Sequence, residues 1–117
     1  MGDPIVFVGT YTSRGAAGIY SCRLNQRTGE LKACGRPAPV LDPSFLSLHP
    51  SGRRLYAVSE LERFRGLPGG AVCELAVEAD TGRLEPLREE PTHGVHPCHV
   101  AVDRAGRSLY AANYGSG

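Results

Sequence analysis

The sequence lacks the features that would tie it to a membrane or a nucleic acid. The apolar run near its start, Ile5 to Val8, is far too short for a membrane span or a signal-peptide core. Met1-Gly2-Asp3-Pro4 has none of the positive residues that lead a signal peptide, and Val6 stands where a myristoylation motif needs Ser or Thr. Charge is modest and balanced: 13 Lys and Arg against 12 Asp and Glu leave a net charge of +1. Without a basic excess, neither nucleic acid nor an anionic membrane is an expected partner. The four cysteines, Cys22, Cys34, Cys73 and Cys98, form no C-x-x-C pair. Reduced thiols, packed as small apolar side chains in a cytoplasmic protein, are expected instead. No segment carries a helical apolar period over about ten residues, so helices are not expected as main elements.

What the chain has in abundance is turn chemistry. Its 15 Gly and 9 Pro suit many short strands joined by tight turns, and a 41% hydrophobic fraction suffices for a packed core. The strands repeat. Pro43 to Ala57 matches Pro97 to Ala111, with Pro, Gly, Arg, Leu, Tyr and Ala in register at an offset of 54 residues. Ile19 to Leu31 matches Val72 to Leu84 at an offset of 53, sharing Thr28-Gly29-x-Leu31 and Thr81-Gly82-x-Leu84. Two blocks repeating at nearly one offset mean one supersecondary unit used more than once.

The unit reads as four strands. Phe45 to His49 is mostly apolar, as for a strand buried on both faces. His49-Pro50-Ser51-Gly52 supplies a turn, and Leu55 to Ser59 is the second strand. Glu62 to Gly70 reads as a long loop, Val72 to Val77 as the third strand, and Leu84 to Glu89 as a more polar fourth after the hairpin signal Ala79-Asp80-Thr81-Gly82. Four antiparallel strands, apolar inside and polar outside, describe a propeller blade. The expected fold is therefore all-β: consecutive four-stranded antiparallel blades, an open piece of about two blades rather than a closed ring. Its parts are a blade without its inner strand (4–37), a complete blade (43–91) and a blade with two strands only (97–117).

A family resemblance rests on an ordered set of motifs. These are Val8-Gly9-Thr10-Tyr11-Thr12, Gly18-Ile19-Tyr20, Thr28-Gly29-x-Leu31, Pro43-Ser44-Phe45-Leu46, Leu55-Tyr56-Ala57-Val58-Ser59-Glu60, Gly94-x-x-Pro97-Cys98-His99-Val100-Ala101-Val102-Asp103 and Ala112-Asn113-Tyr114-Gly115-Ser116-Gly117. In this order they resemble the N-terminal third of the 6-phosphogluconolactonase family of seven-bladed propellers. The resemblance implies hydrolysis of 6-phospho-D-glucono-1,5-lactone to 6-phosphogluconate, in the oxidative pentose phosphate pathway, without a cofactor. It implies a small sugar-phosphate lactone as substrate and the rest of the propeller as partner, with self-association through open strand edges as the alternative. Two other readings stay open: a non-catalytic β-propeller interaction module, and a cyclase of the muconate type on the same fold. Under the resemblance, the chain by itself is expected to be incomplete or inactive.

Lactone hydrolysis needs a base for water, donors for the developing oxyanion and a cation for a phosphate. A group titrating near neutrality suits the base, and the chain has four histidines, His49, His93, His96 and His99. His99 is the candidate general base, against the alternative of a structural histidine hydrogen-bonding a neighbouring loop: it starts an inner strand beside Pro97, and its repeat equivalent is Phe45, so blade architecture does not demand a histidine there. His49 aligns with Asp103 and is expected to serve a turn. The series His93, His96, His99 invites a metal reading, but Gly94 and Pro97 break the segment and a spacing of three alternates sides on a strand, so no metal is expected. Glu60, Asn113, Tyr114, Tyr11 and Thr12 end or follow second strands and are candidates for substrate binding, against the alternative of blade-to-blade hydrogen bonds. Arg53, Arg54, Arg104 and Arg107 flank turns at the opposite end of the inner strands. Gly66 to Gly70 lacks the Lys and helix of a P-loop.

Overall fold

Alternating apolar residues and frequent turns give strands throughout the chain. The computed structural model describes residues 2–117; Met1, where the rejected lipidation motif begins, lies outside the described residues. Among the described residues the strands are β1 (Ile5–Val8), β2 (Tyr20–Leu24), β3 (Leu31–Ala33), β4 (Leu46–Leu48), β5 (Arg54–Ser59), β6 (Arg63–Phe64), β7 (Leu67–Pro68), β8 (Ala71–Val77), β9 (Leu84–Pro91), β10 (Pro97–Val102) and β11 (Leu109–Asn113). A single 3-10 turn, Thr12–Arg14, is the one helical element described. No helix among the described residues is long and apolar enough to cross a membrane.

The sheets are antiparallel. One has the order β1-β2-β3, a second the order β4-β5-β8-β9, and a third pairs β10 with β11. These sheets have three, four and two strands, and they close no ring, as expected of an open all-β piece of a propeller. The segment expected to be a plain loop holds a small hairpin, β6 with β7. Phe64 is its buried anchor while its tip is exposed, so a local pairing forms in a segment too short and glycine-rich to read as strands.

The core lies between the first two sheets. In β5 the side chains alternate, so Leu55 and Ala57 face one way and sit opposite Leu75 and Cys73 of β8. These four pack with Ile19, Ala38 and Val40 from the first sheet and its linker, and Phe7, Leu46, Val77 and Leu84 rim the cluster. Burial raises the Cys73 thiol to about 12, with Glu89 and Glu74 adding to the shift. Val58 and Val100 are also buried.

The inner strand is less covered than its composition suggests. Phe45 is 36% and Leu48 49% exposed, β4 being the edge strand of its sheet. The turn prediction is met at both copies of the unit. Gly52 and Gly106 each have φ 74, which a residue without a Cβ adopts without strain. His49 has the turn role expected of it. Its Nδ1 accepts from the Ser51 amide at 3.0 Å, and its Nε2 lies 3.2 Å from the Gly106 carbonyl in the next blade. At the equivalent turn, the Asp103 carboxylate accepts from the amides of Arg107 and Ser108. Those amides, Ser108 first, hold its carboxyl below the usual range.

Candidate functional site

In an antiparallel blade, the start of the inner strand and the end of the second strand lie at the same edge. That places His99 near the start of β10, Ser44 and Phe45 just before β4, Glu60 just after β5 and Tyr11 shortly after β1 at one end of the sheets.

Two contacts join these residues across three blades. The Tyr11 hydroxyl donates to Glu60 Oε1 at 2.9 Å, linking first and second blades. Ser44 Oγ donates to the same oxygen at 2.5 Å. Two donors on one carboxylate oxygen fix the Glu60 side chain, and both bonds are strengthened by its charge. The same contact raises the Tyr11 phenol above its ordinary value, since Glu60 hydrogen-bonds the neutral form and burial adds to it. The second contact is aromatic. The rings of Phe45 and His99 stand 4.5 Å apart with their planes tilted by 35°. The repeat equivalents of successive inner strands thus meet where the strands converge. His99 is exposed, and among the described residues no side-chain hydrogen bond ties its imidazole to a neighbouring loop.

The other candidates lie differently. Thr12 is absorbed by the link between blades: its Oγ1 accepts from the Asp42 amide at 2.9 Å and donates to Asp42 Oδ1 at 3.2 Å. Asp42 Oδ1 also accepts from the Ser13 amide at 2.8 Å, and Asp42 holds a left-handed φ of 41. Asn113 turns inward. Its side-chain amide packs against Gly94, and its Oδ1 is buried without a hydrogen-bond partner. Its repeat equivalent, Ser59, has a buried hydroxyl in the same condition. Tyr114 is 82% exposed, with its amide bonded to the His96 carbonyl and its ring outside the cluster.

The three spaced histidines do not converge. His93 is exposed with a φ of 59, His96 has its Nε2 3.6 Å from Glu62 Oε1, and His99 stacks on Phe45. Among the described residues no group of three or more His, Cys, Asp or Glu is placed to share a metal. The turn arginines sit at the other end: Arg54 lies 3.7 Å from Glu74, and Arg107 is exposed beside Asp103. The larger clefts are also elsewhere. One of about 590 Å³ lies between Arg23, Arg36 and Arg83, and one of about 340 Å³ is lined by Val40, Arg65, Leu87 and Arg88. Neither includes Tyr11, Glu60 or His99, so these residues form one open wall.

Sequence reasoning missed Ser44, Phe45 and Asp42. Phe45 was visible only as the apolar partner of His99 in the repeat, and Ser44 as part of a motif. What revealed both was the pairing of β4 with β5 and the approach of β10, which no linear spacing carries.

A family model described as "Lactonase, 7-bladed beta-propeller" matches residues 5–117. A 6-phosphogluconolactonase of Bacillus subtilis is 30% identical over 113 residues, covering 97% of this chain and 31% of that protein. One of Formosa agariphila is 27% identical over 110 residues, covering 93% of this chain and 30% of its own length. The chain therefore spans about 30% of the length of the curated relatives it matches. The crystal structure of a putative 6-phosphogluconolactonase from Bacteroides uniformis superposes with a TM-score of 0.88 at 35% identity, covering 99% of this chain and 32% of that one. That of a periplasmic gluconolactonase from Pseudomonas aeruginosa gives 0.84 at 31% identity, covering 96% and 31%.

Proposed function

Because the chain belongs to the seven-bladed β-propeller lactonase family, we propose that it forms one wall of a site that hydrolyses a sugar lactone. The observation that carries the reading is the joining of Tyr11, Glu60 and the Phe45–His99 pair, from three blades, at one end of the sheets. His99 acts as general base. Water adds to the lactone carbonyl carbon as the imidazole takes its proton. The ring carbon–oxygen bond then breaks, the proton passes to the ring oxygen, and an open-chain aldonate leaves. Glu60 accepts from substrate hydroxyls and Tyr11 sets its orientation. The hydroxyls of Tyr11 and Ser44 are committed to Glu60, so the donors for the oxyanion come from outside this wall. The names of the relatives support 6-phosphogluconolactone as substrate, with 6-phosphogluconate as product in the oxidative pentose phosphate pathway. A cytoplasmic setting fits the free cysteines.

The test compares lactone hydrolysis by this chain with that of a form extended to the length of its relatives, each against His99→Ala. Turnover by the extended form alone, lost on substitution, supports a single wall bearing the base. Unchanged kcat/KM in the variant removes His99 from the mechanism.

One observation favours a second reading, association through an open edge. In β11, Leu109 is 37% and Tyr110 63% exposed, where the equivalent Leu55 is covered by β8 at 2%. Such an edge templates pairing with another strand. Size-exclusion chromatography showing a concentration-independent monomer would set that reading aside.

A further inference from the structure

The Glu60 end of the sheets presents an aromatic ring and a carboxylate, and the two ask for different faces of one ligand. We propose that Phe45, Glu60 and Tyr11 recognise the hydroxylated, uncharged ring portion of the sugar lactone, with Phe45 as the stacking surface and with no group on this wall holding a phosphate. This rests on the lactone-hydrolase reading above and adds to it a binding residue and a selectivity.

A sugar ring offers an apolar C–H face and a rim of hydroxyl donors. The first needs an aromatic surface and the second needs fixed acceptors. Phe45 remains 36% exposed although it precedes an inner strand, and its contact with His99 at 4.5 Å sets its orientation. Glu60 is the acceptor. Tyr11 and Ser44 both bind Oε1, so neither donor occupies the second carboxylate oxygen. The pairing of a stacked ring with an adjacent anchored carboxylate is chemistry for a polyhydroxylated ring.

The same arrangement disfavours a phosphate. A phosphate dianion beside the Glu60 carboxylate meets like charge. The cation placed near it, Arg14, lies over the Tyr11 ring with its guanidinium carbon 5.8 Å from the centroid. The clustered arginines Arg53, Arg54, Arg104 and Arg107 flank turns at the opposite end of the strands. Any phosphate carried by the substrate is therefore held by residues beyond this wall.

The test is a titration of the chain, followed by the NMR signals of the Phe45 and His99 rings. The probes are 1,5-anhydro-D-glucitol, a neutral ring stable to hydrolysis, and its 6-phosphate. Both probes are expected to shift the Phe45 and His99 signals, with the phosphate binding no more than about threefold tighter. Phe45→Leu, which keeps apolar bulk and removes the aromatic face, is expected to weaken binding at least about fivefold, and Glu60→Gln by a few fold. Absence of any shift at Phe45 with millimolar probe overturns the proposal. So does a 6-phosphate that binds about tenfold tighter while shifting the same signals, or a Phe45→Leu variant that binds as well as the parent. If the probes shift Phe45 as expected while neither this chain nor its extended form hydrolyses a lactone, the ring-recognition surface stands and the hydrolase reading falls. If the extended form hydrolyses lactones and Phe45→Leu changes neither binding nor KM, the reverse holds.

Discussion

Gly94 is the position at which one methyl group tests the packing of the site end most directly. A Cβ there would overlap the side-chain amide of Asn113 and come within 2.8 Å of the Asn113 Cβ. Gly94 has little freedom to retreat, because its carbonyl accepts from the Gly70 amide at 2.9 Å and from the Thr92 hydroxyl at 3.1 Å. Asn113 is held in turn by the pairing of β11 with β10. Overpacking of this kind costs about 1–3 kcal/mol. Asn113→Ala removes the obstructing amide, and since Asn113 Oδ1 has no hydrogen-bond partner the truncation forfeits little polar energy. The double variant is therefore expected to be more stable than the sum of the single effects predicts, by about 1–2 kcal/mol. Urea unfolding of the four proteins measures this, with m compared first so that a shift in midpoint reads as stability. Effects that add to within about 0.5 kcal/mol refute the packing argument, as does a Gly94→Ala variant that unfolds at the parent midpoint.

Truncation of the inter-blade core gives a second expectation: Leu75→Ala, at a fully buried position, lowers unfolding free energy by about 2–5 kcal/mol in the same assay. Asp42→Ala leaves the Ser13 amide and the Thr12 hydroxyl without their acceptor and costs about 1–3 kcal/mol, whereas Asp42→Asn, which keeps an acceptor oxygen, costs less. Cys73 predicts a pH dependence. Its folded thiol titrates at about 12 against an ordinary 9.0, so its stabilising contribution is whole below pH 9 and is lost as pH rises toward 12. Stability measured across that window is expected to fall less steeply in Cys73→Ala, and equal slopes would count against the buried-thiol account. Absorbance titration gives a last one: the Tyr11 phenol ionises above the ordinary tyrosine value, and Glu60→Gln moves it down because the largest cause of the shift is that carboxylate.

The blade pattern was legible because it depends on spacing. Glycine turns, an apolar inner strand and a polar outer strand repeat at nearly constant offset, and the main sheets follow them, with the β6–β7 hairpin the addition. The phase was legible for the same reason, since β1 begins with second-strand residues. The site was legible only in part. Tyr11 and Glu60 were legible as candidates because they sit where second strands end, and His99 because it differs from its repeat equivalent Phe45; the fold brings all three to one edge. Phe45 and Ser44 were not, because an aromatic and a small hydroxyl residue are ordinary at such positions. Their use depends on how β10 approaches β4, a long-range contact without a local signature. Asn113 misled for the opposite reason. A polar residue ending a strand looks available to a ligand, and only the close approach of Gly94 shows that it is covered.

Comparing the repeats in three dimensions separates architecture from chemistry. Pro43 and Pro97, Gly52 and Gly106, Leu55 and Leu109, and Ala57 and Ala111 are identical pairs; the glycines serve turns and the Leu and Ala pairs lie in equivalent strands, β5 and β11. Where pairs differ at the turn end, the substitute keeps the same role, since His49 and Asp103 both accept backbone amides from the turn that follows. At the other end the role changes with the residue. Phe45 gives way to His99, Glu60 to Tyr114 and Asp42 to His96, while the backbone stays constant enough for Asp42 and His96 to share left-handed φ values of 41 and 55. Even their hydrogen bonds correspond, since the Glu60 amide donates to the Asp42 carbonyl as the Tyr114 amide does to that of His96. A constant frame carrying different groups at one edge fits the proposed site assembled from several blades. Divergence within the repeat therefore changes the role of the residue at the Glu60 end of the sheets, and the pairing of Phe45 with His99 is where two such divergent positions touch.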